Sequence, residues 1–164
     1  MVMERRRSMT ATLFDQTLEE AKEWLRDRIA DGARCPCCTQ YAKVYRWSLY
    51  STAAAMLIRL YRVGGVESFV ESKSVKHPGQ GGDVTRLRFW ELVEHEPERR
   101  PDGGRSGWWR VTDRGRLFVL GATTIPKYAY VFDGRCLRFD GPPVSIRDAL
   151  GTKFHYQSLM DGTA

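Results

Sequence analysis

Cys35 and Cys38 form a C-P-x-C pair within Arg34-Cys35-Pro36-Cys37-Cys38-Thr39. A gap of two residues lets both thiolates reach one tetrahedral zinc ion, so the pair supplies half of a structural metal site. The other half is not obvious, because no second C-x-x-C follows. Cys37, Cys136, His77 and His95 are the candidates to complete the set, and spacing does not choose among them. The alternative is a metal-free turn held by packing. A disulfide between the adjacent Cys37 and Cys38 is disfavoured by the geometry such a bond requires.

Other catalytic chemistry finds little support. The three histidines are His77, His95 and His155, and none falls in a metalloprotease, P-loop, dinucleotide or nucleophile-elbow pattern. Gly64-Gly65 and the glycines from Gly79 to Gly82 lack the lysine and the strand-to-helix setting of a phosphate loop. His95 between Glu94 and Glu96 could serve as an acid or base. A solvated position suits it better, and Glu91, Glu94, Glu96 and Glu98 read as surface charge. The chain is therefore expected not to be an enzyme.

The arginines are better placed for chemistry. Arg86 and Arg88 fall on a short predicted helix, Arg99, Arg100 and Arg105 surround a glycine-rich turn, and Arg110, Arg114 and Arg116 follow it. Phosphate contact needs such clustering, since affinity grows with the charges neutralised and falls with salt. An arginine on a helix can also read guanine in a major groove. Arg86, Arg88, Arg99, Arg100, Arg105 and Arg110 are the candidate nucleic-acid contacts. The net charge of +6 favours a polyanion partner, although a basic surface also serves solubility alone.

The elements that must position these groups lie mainly between Gly81 and Leu120. Asp83 is a candidate N-cap, and Val84, Leu87 and Trp90 share one side of the helix it would start. Leu92 and Val93 begin a strand. Glu94 to Gly107 is polar and carries Pro97, Pro101, Gly103 and Gly104, so it should project as a turn. Trp108 to Val111 makes the return strand, and Thr112 caps a helix from Asp113.

That order is the second half of a winged helix, and the string VTDRGRLFVL from Val111 resembles the T-x-x-G segment after the wing in MarR- and PadR-like regulators. The resemblance covers roughly Ser48 to Leu120. It implies an α+β winged helix and a non-enzymatic role in transcription regulation on double-stranded DNA. The chain is also similar to small phage-encoded proteins with a cysteine knuckle before such a domain, a likeness that names no activity. Winged helices serve as protein-docking modules too. The alternative function is thus a phage-type interaction protein that binds or inhibits a host protein through the same surface. Two departures weigh against base reading. Only Asp83 to Trp90 is available for the recognition helix, and Glu91 stands where the regulators usually have a glycine. Phe89, turned away from Val84, Leu87 and Trp90, suits a protein interface or covers a neighbouring helix.

Around this stretch, residues 1–11 form a basic arm with Arg5, Arg6 and Arg7, and residues 12–47 hold an N-terminal helix and the cysteine knuckle. Thr12 to Asp15 fits a capping box, and Phe14, Leu18, Ala21, Leu25 and Ile29 make one apolar stripe ended by Asp31-Gly32. The stripe packs within the chain or joins a homodimer. Lys43 to Tyr50 could form a strand after the knuckle. Residues 48–121 hold the winged domain, whose first helix starts at Ser51-Thr52, leaves Arg59 and Arg62 off its apolar side and closes at Gly64-Gly65. Val66 to Lys76 supports a second helix poorly. Residues 122–164 give a hairpin from Tyr128 to Phe139 around Asp133-Gly134, stopped by Pro142-Pro143. A helix capped by Ser145 and Asp148 follows, and then an apolar tail with Phe154, Tyr156, Leu159 and Met160.

At 164 residues and 42% hydrophobic composition the chain can build a sizeable core. Residues Ala11 to Ile29 are charged throughout rather than a signal h-region, and Ala53 to Ile58 is too short to span a bilayer. A cytoplasmic protein with no membrane partner is expected. Its four cysteines would then stay reduced rather than pair as disulfides.

Overall fold

A computed structural model describes residues 17–76, 84–97 and 107–163. Among them the fold is α+β, with six α-helices and three small antiparallel sheets. The chain divides into two compact units, one ending at Tyr45 and one beginning at Arg46.

In the first unit, α1 (Leu18–Arg26) opens on a capping box at Thr17. The Thr17 hydroxyl accepts from the Glu20 amide at 3.3 Å, and a Glu20 carboxylate oxygen accepts from the Thr17 amide at 2.7 Å. The box expected at Thr12 to Asp15, the stripe residue Phe14 and the basic arm lie outside the described residues. The helix also stops at Arg26, short of the expected Asp31-Gly32, and residues 27–31 form turns. Strands β1 (Ala33–Arg34) and β2 (Tyr41–Ala42) then pair antiparallel, Ala33 opposite Ala42. Of this unit's described residues only Ala21 is buried, and Leu18 is 60% exposed.

The second unit begins within β3 (Tyr45–Ser48), which runs to α2 (Ser51–Gly64). Every residue from Ala53 to Leu60 is buried, so α2 is enclosed rather than amphipathic. This corrects the expectation for Arg59, which is only 9% exposed and carries its guanidinium 5.9 Å from the Phe154 ring centre. Burial depresses its pKa, and the nearby Arg62 adds to the effect. Gly65 closes the helix with φ of +59°.

The next segment forms β4 (Val70–Glu71) and a 3-10 turn at Ser72–Val75 where a second α-helix was looked for. Val70 pairs with Trp109 across the sheet, a tertiary partner that local propensity does not contain. After it, α3 (Val84–Leu87) tightens into a 3-10 turn at Arg88–Trp90. Val84, Leu87 and Trp90 are all buried, as their spacing predicts, while the expected cap Asp83 lies outside the described residues. Then come β5 (Val93–His95), β6 (Trp108–Val111) and α4 (Asp113–Val119), with strand order β4-β6-β5.

Strands β7 (Ile125–Phe132) and β8 (Arg135–Val144) flank Asp133 and Gly134, which have φ of +47° and +70°. Both central residues in the left-handed region make this the turn that suits strand twist. The hairpin is longer than predicted at both ends. Pro142 and Pro143 do not stop β8, because β8 is the edge of the order β3-β7-β8 and needs no outward amide there. A capping box at Ser145 and Asp148 opens α5 (Ile146–Leu150), and α6 (Tyr156–Asp161) buries Leu159. The Tyr156 hydroxyl donates to the Val119 carbonyl at 2.9 Å. The buried residues of α2, the β4-β6-β5 sheet, the β7–β8 hairpin and the two last helices form one cluster. No helix among the described residues is long and apolar enough to cross a membrane.

Two substitutions test this packing. Trp90 is 1% exposed and donates its indole N–H to the Pro126 carbonyl at 2.7 Å. Trp90→Ala is expected to lower unfolding stability by about 3–5 kcal/mol in denaturant titration. Gly115 lies in α4, where alanine would ordinarily gain about 1 kcal/mol. A Cβ there would strike the Leu92 carbonyl and lie 2.7 Å from Val111 Cγ1. Backbone cannot yield as a side-chain tip can, so Gly115→Ala is expected to destabilise by about 1–3 kcal/mol, against the helix-propensity sign.

Candidate nucleic-acid interface and cysteine turn

The strands β5 and β6 pair antiparallel, with Val93 opposite Val111, Glu94 opposite Arg110 and His95 opposite Trp109. The chain between them includes Arg99, Arg100 and Arg105, which lie outside the described residues. Arg110 is committed locally. Its guanidinium bonds the Glu94 carboxylate, with Nε at 2.8 Å, and stands 4.7 Å from the Phe69 ring centre. Arg114 approaches Glu91 at 3.4 Å and Arg116 approaches Asp113 at 3.6 Å. Glu67, Glu91, Glu94, Asp113, Arg110 and Arg114 line a shallow groove of about 550 Å³ here. Four carboxylates against two guanidiniums make it a poor phosphate seat.

Arg86 and Arg88 extend from the short helical segment, away from this pairing. Arg86 stacks 3.9 Å from the Trp47 ring centre. Arg88 donates to the Gly134 carbonyl at 3.3 Å, which ties the helical segment to the β7–β8 turn. Phe89 beneath its guanidinium is half-buried against the core, so it covers a neighbour rather than standing outward. Glu91 adopts φ of +58° and ψ of +29° at the end of this segment. The regulators' glycine position is thus a true left-handed position here, occupied by a residue with a Cβ. Thr112 braces it by donating its hydroxyl to the Glu91 carbonyl at 2.6 Å while accepting from the Gly115 amide at 3.0 Å.

The structure adds a cationic face that the sequence reading passed over. In β7, Ala129 and Val131 are buried, while Tyr128 and Tyr130 alternate with them. Arg46 lies 4.7 Å and Lys127 5.7 Å from the Tyr128 ring centre, and Arg138 lies 3.6 Å from that of Tyr130. Asp140 takes part of this charge by pairing with Arg138 at 3.3 Å. The period-two alternation of Tyr128-Ala129-Tyr130 was the available signal. The cross-strand partners were not readable, because bulges shift the register twice. Cations over aromatic rings are what nucleic-acid backbones and bases meet in many grooves.

Of the described histidines, His95 sets its ring edge-on to Trp109 at 5.9 Å. His155 accepts from the Ser158 amide at 3.4 Å and so caps α6. His77 lies outside the described residues.

The cysteine turn joins β1 to β2. The Cys35 amide donates to the Gln40 carbonyl at 2.8 Å and the Thr39 amide to the Cys35 carbonyl at 2.9 Å, with Thr39 at φ of +62°. This folds the peptide back so that the amides of Cys38 and Cys37 donate to the Cys35 sulfur, and those bonds pull its thiol pKa down. Desolvation, and the charge of Cys35 behind it, push the Cys37 thiol up. Cys35 and Cys38 therefore share one turn, as the C-P-x-C spacing requires. No group of three or more cysteine, histidine or carboxylate side chains placed to hold a metal occurs among the described residues. The turn fits half of a zinc site. Cys136, on β8, lies in the second unit.

Comparison with models of known protein families, with curated proteins and with solved structures finds no match to this chain.

The left-handed residue gives a direct test. A Cβ in that region costs about 1–2 kcal/mol. Glu91→Gly relieves this cost and Glu91→Ala does not, while both lose the exposed contact to Arg114. The glycine variant is expected to be more stable than the alanine variant by about 1 kcal/mol, read as a difference in thermal or denaturant midpoint.

Proposed function

We propose that this chain is a non-enzymatic winged-helix protein that binds double-stranded DNA in a regulator-like role. The observation that carries the reading is topological. A helix, α2, is followed by strand β4, a 3-10 turn, the short helix α3 and the antiparallel pair β5–β6, in a sheet of order β4-β6-β5. That is the sequence of elements in a winged helix, with the arginine-bearing connection between β5 and β6 in the place of the wing. The net charge of +6 supports a polyanion partner.

Within this reading the connection carries affinity. Arg99, Arg100 and Arg105 contact phosphates, which hold no base information. Arg110 is a weaker contact, because Glu94 already neutralises it. Arg86 and Arg88 sit on the element that would face a major groove, with Arg88 serving also as a brace to Gly134.

Binding isotherms on duplexes of varied sequence, at several salt concentrations, test the reading. Replacing Arg99, Arg100 and Arg105 together with alanine is expected to weaken all duplexes by a similar factor and to lower the salt slope by roughly three units. Arg86→Ala is expected to change the ranking of duplexes instead, if it reads a base edge. Absence of duplex affinity at low salt would defeat the regulator reading and leave a host-protein partner in its place.

A further inference from the structure

The first unit lacks two things that a stable unit needs. It has no core, since Ala21 is its only buried residue among those described, and it offers a metal only two well-placed thiols. Units this small are normally held by a metal, a disulfide or a partner. Its helix α1 meanwhile carries apolar Leu18, Trp24 and Leu25, with Leu18 60% exposed.

We propose that the first unit is a dimerisation element, in which two copies of this chain share one zinc ion held by Cys35 and Cys38 of each. A tetrahedral zinc takes four ligands, so a two-thiolate half-site that finds no further donor nearby is completed by its own symmetry mate. Each thiol gives its proton to solvent as its Zn–S bond forms. The turn is already shaped for this. Cys38 is exposed, Cys35 is half-buried, and the amides of Cys37 and Cys38 donate to the Cys35 sulfur, an outer-shell arrangement that holds a ligand in place. The bond network across the turn fixes the pair before metal arrives. Two turns brought together this way also place two copies of α1 close in sequence to the joint, where their apolar side chains gain a partner. This inference stands apart from the DNA reading, since the second unit holds all the elements that reading uses.

The experiment measures zinc content and solution mass on the full chain, purified under reducing conditions without chelator. About one zinc per two chains and a dimeric mass are expected. A strong chelator should convert the dimer to monomer, and added zinc should restore it. Cobalt(II) in place of zinc should give the absorption of a tetrathiolate centre. Cys35→Ser and Cys38→Ser should each lose metal and dimer together, whereas Cys37→Ser should keep both. Chelation of the unmodified chain keeps the test decisive where a serine variant fails to fold. One zinc on a monomeric chain, a dimer that survives chelation, or a metal-free preparation would overturn the proposal.

Discussion

The enclosure of α2 is the constraint on which the second unit depends. Ala53, Ala54 and Ala55 give it a narrow start, so neighbouring elements approach closely, and Met56, Leu57, Ile58 and Leu60 fill the space further along. Strand β6 and helices α3, α4, α5 and α6 all pack on it. An apolar helix covered on every side cannot be assembled from the central stretch alone. The last helices supply part of the cover through Ile146, Leu150 and Leu159. Burial at roughly 25 cal/mol per Å² of apolar surface favours this arrangement strongly enough to tolerate Arg59 within it, where the aliphatic stem packs and Phe154 faces the charged head.

A second constraint is the joint between the helical segment and the sheet. Glu91 turns left-handed, Leu92 buries its side chain and offers its carbonyl to the Thr112 amide at 3.1 Å, and Gly115 leaves room for that carbonyl. This gives the T-x-x-G string a physical meaning in this chain. The threonine caps α4 and braces residue 91, and the glycine permits a backbone-to-backbone approach. The phase of Arg86 and Arg88 follows from the same joint, since Trp90 is locked beneath it by the bond to Pro126.

What was legible in the sequence was local. The Asp133-Gly134 turn, the Ser145–Asp148 box, the cap at Thr112 and the burial phase of Val84, Leu87 and Trp90 each rest on residues within one turn of one another, where chemistry dictates geometry. What was not legible was tertiary. The two-residue strand β4 exists because Trp108 and Trp109 pair with it, and Pro142-Pro143 stays in a strand because that strand is an edge. At the candidate interface the arginine types were readable, but their partners were not. Arg110 meets Glu94 across sixteen residues, and Arg88 meets Gly134 across forty-six. The cysteine pair was readable as a half-site from its spacing alone. That its turn belongs to a unit without a core was not, because the capping box at Thr17 shortens α1 and moves its stripe off the expected frame.

The two proposals meet in the size of α3. One turn of α-helix followed by a 3-10 turn presents few side chains, and Arg88 is partly engaged in holding the β7–β8 turn. Such an element offers at most a few base contacts, each worth about 1–3 kcal/mol of discrimination. Phosphate contacts from the β5–β6 connection add affinity without adding choice. A single copy would therefore bind duplexes with little preference. Two copies related by a two-fold axis double the contacts and impose a half-site spacing, so discrimination grows through geometry rather than through a longer helix. A small helical reader and a metal-completed dimer thus answer one physical problem, and the second would compensate for what the first cannot supply.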